Sequence, residues 1–326
     1  MKAILCKQYG TAEQLVVAEV NNPAIKDHEV LINVRACGIN FPDVLMIAGQ
    51  YQVRPPMPFT PGAEVSGTVS KIGKKVRTLK IGQRVLALCG HGGLAEQAAI
   101  DANYVVPIPD SLDFATAAGF MLTYGTAYYA LQQRGALQPG DTLLVLGAAG
   151  GVGLAAVELG TQMGAKVIAA ASTAEKLRLA EQYGAAQSIN YSDCRLIEAV
   201  REATSGRGAD LIFDPVGGPF FEDCLRSVAW NGRILVIGFA SGEIPSLPAN
   251  LVLLKGSSVV GVFWGSFARH EPELQRRNTH ELLKLIGDGR LHPHISDEFD
   301  LEHAADAILT LARRRAMGKV IVNVSL

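Results

Sequence analysis

The chain has 326 residues, 48% of them hydrophobic and 19% charged, a balance that fits about two folded domains and excludes a disordered or coiled-coil protein. Lys and Arg number 30 against 31 Asp and Glu, so no global charge draws the chain to nucleic acid or to an anionic membrane surface. Five scattered cysteines (Cys6, Cys37, Cys89, Cys194 and Cys224) point to a reducing compartment, and so to a cytoplasmic protein, rather than to a disulfide framework. The opening stretch Met1-Lys-Ala-Ile-Leu-Cys-Lys-Gln8 lacks the long apolar core of a signal peptide. Up to about residue 118, short β-like runs are separated by Gly, Pro and Asn. They cover 15–20, 29–36, 64–69, 84–88 and 104–108. Helical periodicity is scarce there, which predicts a partly open β-barrel-like domain.

From about residue 119 the pattern alternates. Apolar runs at 142–147, 165–171, 186–191, 209–214, 232–239 and 257–264 are mostly separated by amphipathic stretches such as 173–183, 193–204 and 219–229. Six such strands predict an α/β fold, a doubly wound parallel sheet. The first strand, Thr142-Leu-Leu-Val-Leu146, runs into Gly147-Ala-Ala-Gly-Gly-Val-Gly153 and then a helix-compatible segment. The apolar run 143–157 is broken by four glycines and is too short to span a bilayer. Strand, glycine turn and helix in that order form the context of a dinucleotide fingerprint. Gly150 lets backbone approach a pyrophosphate, Gly153 lets helix and strand pack closely, and the N–H groups at Gly151 and Val152 face the phosphates. Ala148 stands where the strict pattern has glycine.

The second strand ends in Ala171-Ser172-Thr-Ala-Glu175-Lys176. A fold that prefers NAD places Asp or Glu there for the ribose hydroxyls. Ser172 and Lys176 instead suit a 2′-phosphate, which favours NADPH. Ser172 with Glu175 also reads as a capping box, and Lys176 also reads as a solvated helix residue. Further on, 257–264 is an apolar run at the expected outer edge of the sheet, which predicts a two-fold homodimer continuing the sheet. The segment 301–314 reads as helix and 319–324 as a strand rejoining the first domain. That domain is then discontinuous, spanning 1–118 and 266–326, with the sheet domain inserted at 119–265.

Several stretches together resemble the zinc-free quinone oxidoreductase branch of the medium-chain dehydrogenase/reductase superfamily. They are Val34-Arg-Ala-Cys-Gly-Ile-Asn40-Phe-Pro-Asp43, Pro58-Phe-Thr-Pro-Gly62-Ala-Glu64, the Gly147–Gly153 turn, Val216-Gly-Gly218, Trp230-Asn-Gly-Arg-Ile234, Leu253-Leu-Lys-Gly256 and Gly318-Lys319-Val320. The resemblance spans nearly the whole chain and implies a GroES-like barrel domain, a Rossmann domain and a cofactor between them. Zinc-dependent relatives carry Cys and His ligands where this chain has Asn40 and Ala63, and catalytic zinc needs three good ligands. His292 and His294 form a spaced pair without further ligands nearby in sequence.

The resemblance also implies roles for single residues. Asn40 and Asp43 lie near nicotinamide and substrate, Phe41 shares their cofactor-facing loop, and Tyr51 is a substrate-side aromatic. Thr123 and Tyr128 open the helix entering the sheet domain. Tyr191 contacts the adenosine phosphate, Gly238, Phe239, Phe263 and Trp264 form a platform for the carboxamide, and Arg315 and Lys319 close the cleft. Ordinary packing accounts equally well for each aromatic. Glu64 reads as a polar structural residue.

An alcohol dehydrogenase needs a base or metal for the hydroxyl proton. Reduction of a quinone or activated alkene needs less. Hydride adds to an electron-poor carbon, and a donor such as the Asn40 amide steadies the growing oxyanion. Enoyl-CoA reduction and a non-catalytic NADPH-binding module remain as alternatives.

Overall fold

The computed structural model describes residues 1–324. The chain forms two compact units, Met1–Leu122 with the stretch from Leu283 onward, and Thr123–Leu282.

In chain order the first unit opens with β1 (Lys2–Leu5), β2 (Val16–Glu19) and β3 (Glu29–Ile39), followed by helix α1 (Phe41–Ile47). Then come β4 (Glu64–Ile72), β5 (Arg84–Leu88), β6 (Gln97–Asp101), β7 (Val105–Pro107), α2 (Phe114–Ala118) and α3 (Met121–Tyr128). α3 carries the chain into the second unit. The long strand β3 organises the first unit. It pairs antiparallel with β4 along its length and with β6 over its first half. Register shifts against β4 at Leu31/Ile32 and Val34/Ala36 bend it, as bulges do in barrel-like sheets. Alternate β3 residues Val30, Ile32 and Val34 face a core shared with Val65, Val69, Val85 and Ile100.

The second unit holds a six-stranded, all-parallel sheet. Its strands are β8 (Thr142–Leu146), β9 (Lys166–Ala171), β10 (Gln187–Asn190), β11 (Ala209–Asp214), β12 (Val228–Val236) and β13 (Ser258–Gly261), in the order β10-β9-β8-β11-β12-β13. Between them run α4 (Gly151–Gln162), α5 (Ala174–Gln182), α6 (Leu196–Ala203), α7 (Phe220–Ser227) and α8 (Ala249–Lys255). The order reverses between β8 and β11, the switch point where such sheets bind ligands. All five β8 residues are buried, which explains its unbroken apolar run. α9 (Trp264–His270) and α10 (Pro272–Gly287) follow. The chain returns through β14 (Ile295–Asp300), α11 (Ala304–Ala312) and β15 (Lys319–Asn323). β15 pairs antiparallel with the second half of β3, setting Ile321 opposite Gly38. The sheet of the first unit therefore runs β14-β15-β3-β4-β5-β7, with β6 also on β3. No helix among the described residues is long and apolar enough to cross a membrane.

The α/β class and the parallel six-stranded sheet match expectation. Local boundaries differ. The short strands β1 and β6 and the helix α2 lie in stretches with no expected element, and α1 falls where a loop is expected. The unit boundary falls after Leu282 rather than at 265. The reason is side-chain pairing within the second unit. Trp264 Nε1 donates to Gln275 Oε1 at 3.0 Å, and Tyr128 Oη donates to Glu281 Oε2 at 2.9 Å, so most of α10 belongs with the sheet.

Leu144 lies fully buried at the centre of β8. Leu144→Ala is expected to lower the unfolding free energy by about 2–5 kcal/mol. Urea titration followed by circular dichroism measures this, and a loss under 1 kcal/mol would mean that the site collapses around the cavity.

Candidate functional site

In the first unit, four polar side chains meet in the core: Asn40, Asp43, Glu64 and Lys319, each 4% exposed or less. Asn40 follows β3 directly and caps α1. Its backbone N–H donates to Asp43 Oδ2 at 2.8 Å, and Asp43 Oδ1 accepts from the Gly62 N–H at 3.0 Å. This is a capping box with Pro42 in the first turn. Phe41 and Asp43 are therefore helical, not in a loop. Burial pushes the Asp43 carboxyl up to about 6, although the Asn40 and Gly62 amides favour its charged form.

Lys319 Nζ donates to Asn40 Oδ1 at 2.7 Å, Glu64 Oε1 at 2.8 Å and the Ile39 carbonyl at 2.9 Å. Asn40 Nδ2 donates to Glu64 Oε1 at 2.9 Å and to the Gly38 carbonyl at 3.1 Å. The ammonium has three protons and three acceptors. The amide has two protons and two acceptors. The Asn40 amide is thus committed inside the cluster rather than held ready for an oxyanion. Close packing enforces this. A Cβ on Gly38 would lie 2.2 Å from the Ala118 carbonyl and 2.8 Å from Glu64 Oε1. Cys37 and Cys89 adjoin the cluster, and burial pushes both thiols up, away from the thiolate form. Tyr51 packs at the edge of the same unit's apolar core.

This donor set does not fit a zinc ion. Asn40 Oδ1 and Glu64 Oε1 already receive the Lys319 ammonium. Among the described residues no three His, Cys, Asp or Glu side chains gather as metal ligands.

In the second unit, the expected residues line up along one edge of the sheet, because parallel strands all end on the same side. After β8, Gly150 caps α4 in an extended conformation, and Gly151, Val152 and Gly153 form its first turn. Their N–H groups have no acceptor within the helix. A Cβ on Gly153 would sit 2.2 Å from the Gly147 carbonyl, so only glycine lets the turn close this tightly. After β9, Thr173, not Ser172, caps α5, and Thr173 Oγ1 accepts from the Lys176 N–H at 3.3 Å. The Ser172–Glu175 capping box is corrected accordingly. Ser172 sits one residue before the cap, and its carbonyl accepts from Ser192 Oγ at 3.1 Å. After β10, the Tyr191 N–H donates to the Ala171 carbonyl at 3.2 Å, and its ring lies 4.6 Å from that of Phe220. Ser172 and Tyr191 are thus neighbours at adjacent strand ends.

Gly238 and Phe239 lie just past β12, where Phe239 packs over Gly217. Phe263 caps α9 and is 47% exposed, whereas Trp264 is 5% exposed and bonded to Gln275. Trp264 is therefore a packing residue. Thr123 is buried, and Tyr128 closes α3 rather than opening it, with its hydroxyl on Glu281. The residue whose part in this geometry sequence reasoning missed is Glu64. Its place beside Gly62-Ala63 was the available signal.

Known proteins share this sequence pattern and fold. Residues 26–110 match the alcohol dehydrogenase GroES-like domain, and 151–282 match the family described as zinc-binding dehydrogenase. Those two domains define the medium-chain dehydrogenase/reductase superfamily of oxidoreductases. Within it, the chain belongs to the quinone oxidoreductase-like protein 2 family. It is 43% identical to the Bos taurus protein of that name, over 99% of this chain and 92% of the relative. The Escherichia coli quinone oxidoreductase solved with NADPH superposes with a TM-score of 0.94 at 28% identity, covering 99% of this chain and 100% of that one. A mycobacterial protein solved with NADPH gives 0.94 at 30%, again over 99% and 100%.

The Asp43 carboxyl yields a pH prediction. Its folded value of about 6 lies above its ordinary 3.8, so the folded state holds the proton more tightly. The resulting stabilisation is complete below about pH 4 and disappears as pH rises through 6, about 3 kcal/mol in all. Urea unfolding of the parent and Asp43→Asn between pH 4 and 7 is expected to show the deficit of the variant shrinking by that order. A deficit that stays constant would assign the titration elsewhere.

Proposed function

We propose that this protein is a zinc-independent, NADPH-dependent reductase that transfers hydride to a quinone or an activated alkene. The observation that carries this is the edge of the parallel sheet around β8. A glycine turn opens α4 there, the end of β9 leads into Ser172 and Lys176 with no carboxylate at the strand end, and the end of β10 adds Tyr191. The residues fit the dinucleotide. Glycine at 153 keeps the turn closed, and the first-turn N–H groups of α4 bind pyrophosphate. The Ser172 hydroxyl, the Lys176 ammonium and the Tyr191 phenol hold the 2′-phosphate. Two solved relatives carrying NADPH support the same cofactor.

NADPH supplies the hydride. The protein orients cofactor and acceptor, so most of the rate comes from holding the two in contact. Phe263 and the backbone at Gly238 and Phe239 carry the carboxamide end. Lys319, already saturated, shapes the first unit from within. Asn40 and Lys319 have every proton committed, so water provides the last one. Zinc independence is supported by the ammonium that fills the acceptor set around Asn40 and Glu64.

The deciding experiment follows NADPH absorbance with quinones, enones and enoyl-CoA thioesters, using protein dialysed against a chelator. Turnover of quinones or enones supports the reading. Turnover of thioesters alone selects the enoyl reductase, and binding without turnover selects a cofactor-binding module. Lys176→Ala is expected to weaken NADPH binding about 10- to 100-fold, because a charge-assisted hydrogen bond contributes roughly 1.5–3 kcal/mol. NADH binding should hardly change, and equal losses on both cofactors would mean that Lys176 does not read the phosphate.

The same reading includes a homodimer. β13 ends the sheet order, and Trp230, Leu253 and Leu254 stand exposed in the same unit. A free strand edge beside exposed apolar side chains invites a second copy. Sedimentation velocity is expected to give a dimer, and a concentration-independent monomer would remove this part of the proposal.

A further inference from the structure

The hydride-transfer reading leaves Glu64 without a role, yet three separate segments donate to it. Asn40 Nδ2 and Lys319 Nζ reach Oε1 at 2.9 and 2.8 Å, and the Leu122 N–H reaches Oε2 at 2.9 Å. Glu64 is 1% exposed. It begins β4, whereas its donors come from the residue after β3, the start of β15 and the first turn of α3. Lys319 is 255 residues away in sequence.

We infer that Glu64 is a positioning residue of the reductase site, holding Asn40, Lys319 and the Leu122 backbone in one arrangement; this rests on the proposed reductase activity. The chemistry of the acceptors supports it. A carboxylate offers two oxygens and no proton, so it accepts from all three donors at once. A glutamine of the same size offers one oxygen and one NH2 group, so at least one of the three donors would face another donor. Asn40 and Lys319 have every proton committed within the cluster. They therefore act by shape, and Glu64 sets that shape. Leu122 is the last residue of the first unit, and the next residue, Thr123, is buried and begins the second. The bond from Leu122 to Glu64 fixes the backbone one residue before it.

The test uses the full-length protein as Glu64→Gln and as the double variant Glu64→Gln/Lys319→Met. Three quantities are measured: the melting temperature, the NADPH dissociation constant from cofactor fluorescence, and kcat and KM with an acceptor that the parent reduces. In Glu64→Gln the NADPH constant is expected to stay within about two-fold while kcat falls roughly 10- to 100-fold at temperatures where the variant is folded. The double variant removes the unmatched ammonium. It is expected to regain melting temperature but not kcat, because Asn40 and Leu122 remain unheld. Should the single variant fail to fold, the double variant alone decides. A folded variant with the kcat of the parent, or a double variant that regains both quantities together, overturns the inference. A parent that reduces no acceptor with NADPH removes the reductase reading itself, and the inference goes with it.

Discussion

The fold of the first unit depends on one buried ion pair. Lys319 and Glu64 lie 2.8 Å apart, with side chains 4% and 2% exposed. Removing two charges from water costs several kcal/mol per ion, and attraction offsets that only when every remaining donor and acceptor is matched. Here the match is complete for the ammonium, and the carboxylate takes two further N–H groups. Such a pair contributes little net stability over a well-packed apolar one. It does make the arrangement specific, because any shift of β15 against β3 leaves a buried charge without a partner. Gly38 lies where these strands pair, with no room for a side chain.

The second unit rests on a different constraint. Its central strands are sealed on both faces, so β8 after Thr142 is wholly apolar and buried. Polar groups collect instead at the strand ends and in the surrounding helices. Tyr124 on α3 donates to Glu158 on α4, and both are buried. The scaffold holds its glycine turn through backbone closeness, and chemistry is left to residues just beyond the strands. This division is what parallel sheets impose, since both faces are covered and only the carboxyl edge remains open.

That division also decides what was legible in the sequence. The central strands read as apolar runs because burial on both faces leaves few polar interruptions, and the run 209–214 coincides with β11. The short strands β1 and β6 do not stand out, because Lys-Ala-Ile-Leu and Gln-Ala-Ala-Ile-Asp are too short and too weakly alternating to read as strands. Helix α1 was readable in principle. Asn40 with Asp43 three residues on, and Pro42 between them, is a helix start, but a seven-residue helix shows so little periodicity that the stretch reads as loop. At the second turn, neighbouring hydroxyls compete to cap α5, and pattern alone does not choose Thr173 over Ser172. Asn40 and Lys319 were singled out by position. Their mutual bonds were hidden because the two lie 279 residues apart in sequence.

Chain order adds a consequence for biosynthesis. β15 lies between β14 and β3, so the sheet of the first unit is completed by residues near the end of the chain. A ribosome makes residues 1–122 first, and at that point Glu64 is present without its ammonium. The inserted unit is finished once residue 282 has emerged and folds with all its own strands in hand. The first unit must wait with an open strand edge on β3 and an unmatched carboxylate in its core. Nascent domains in that condition are prone to misassembly and to capture by chaperones. The inserted unit thus has all its strands before the first unit does, because β15 is made after both.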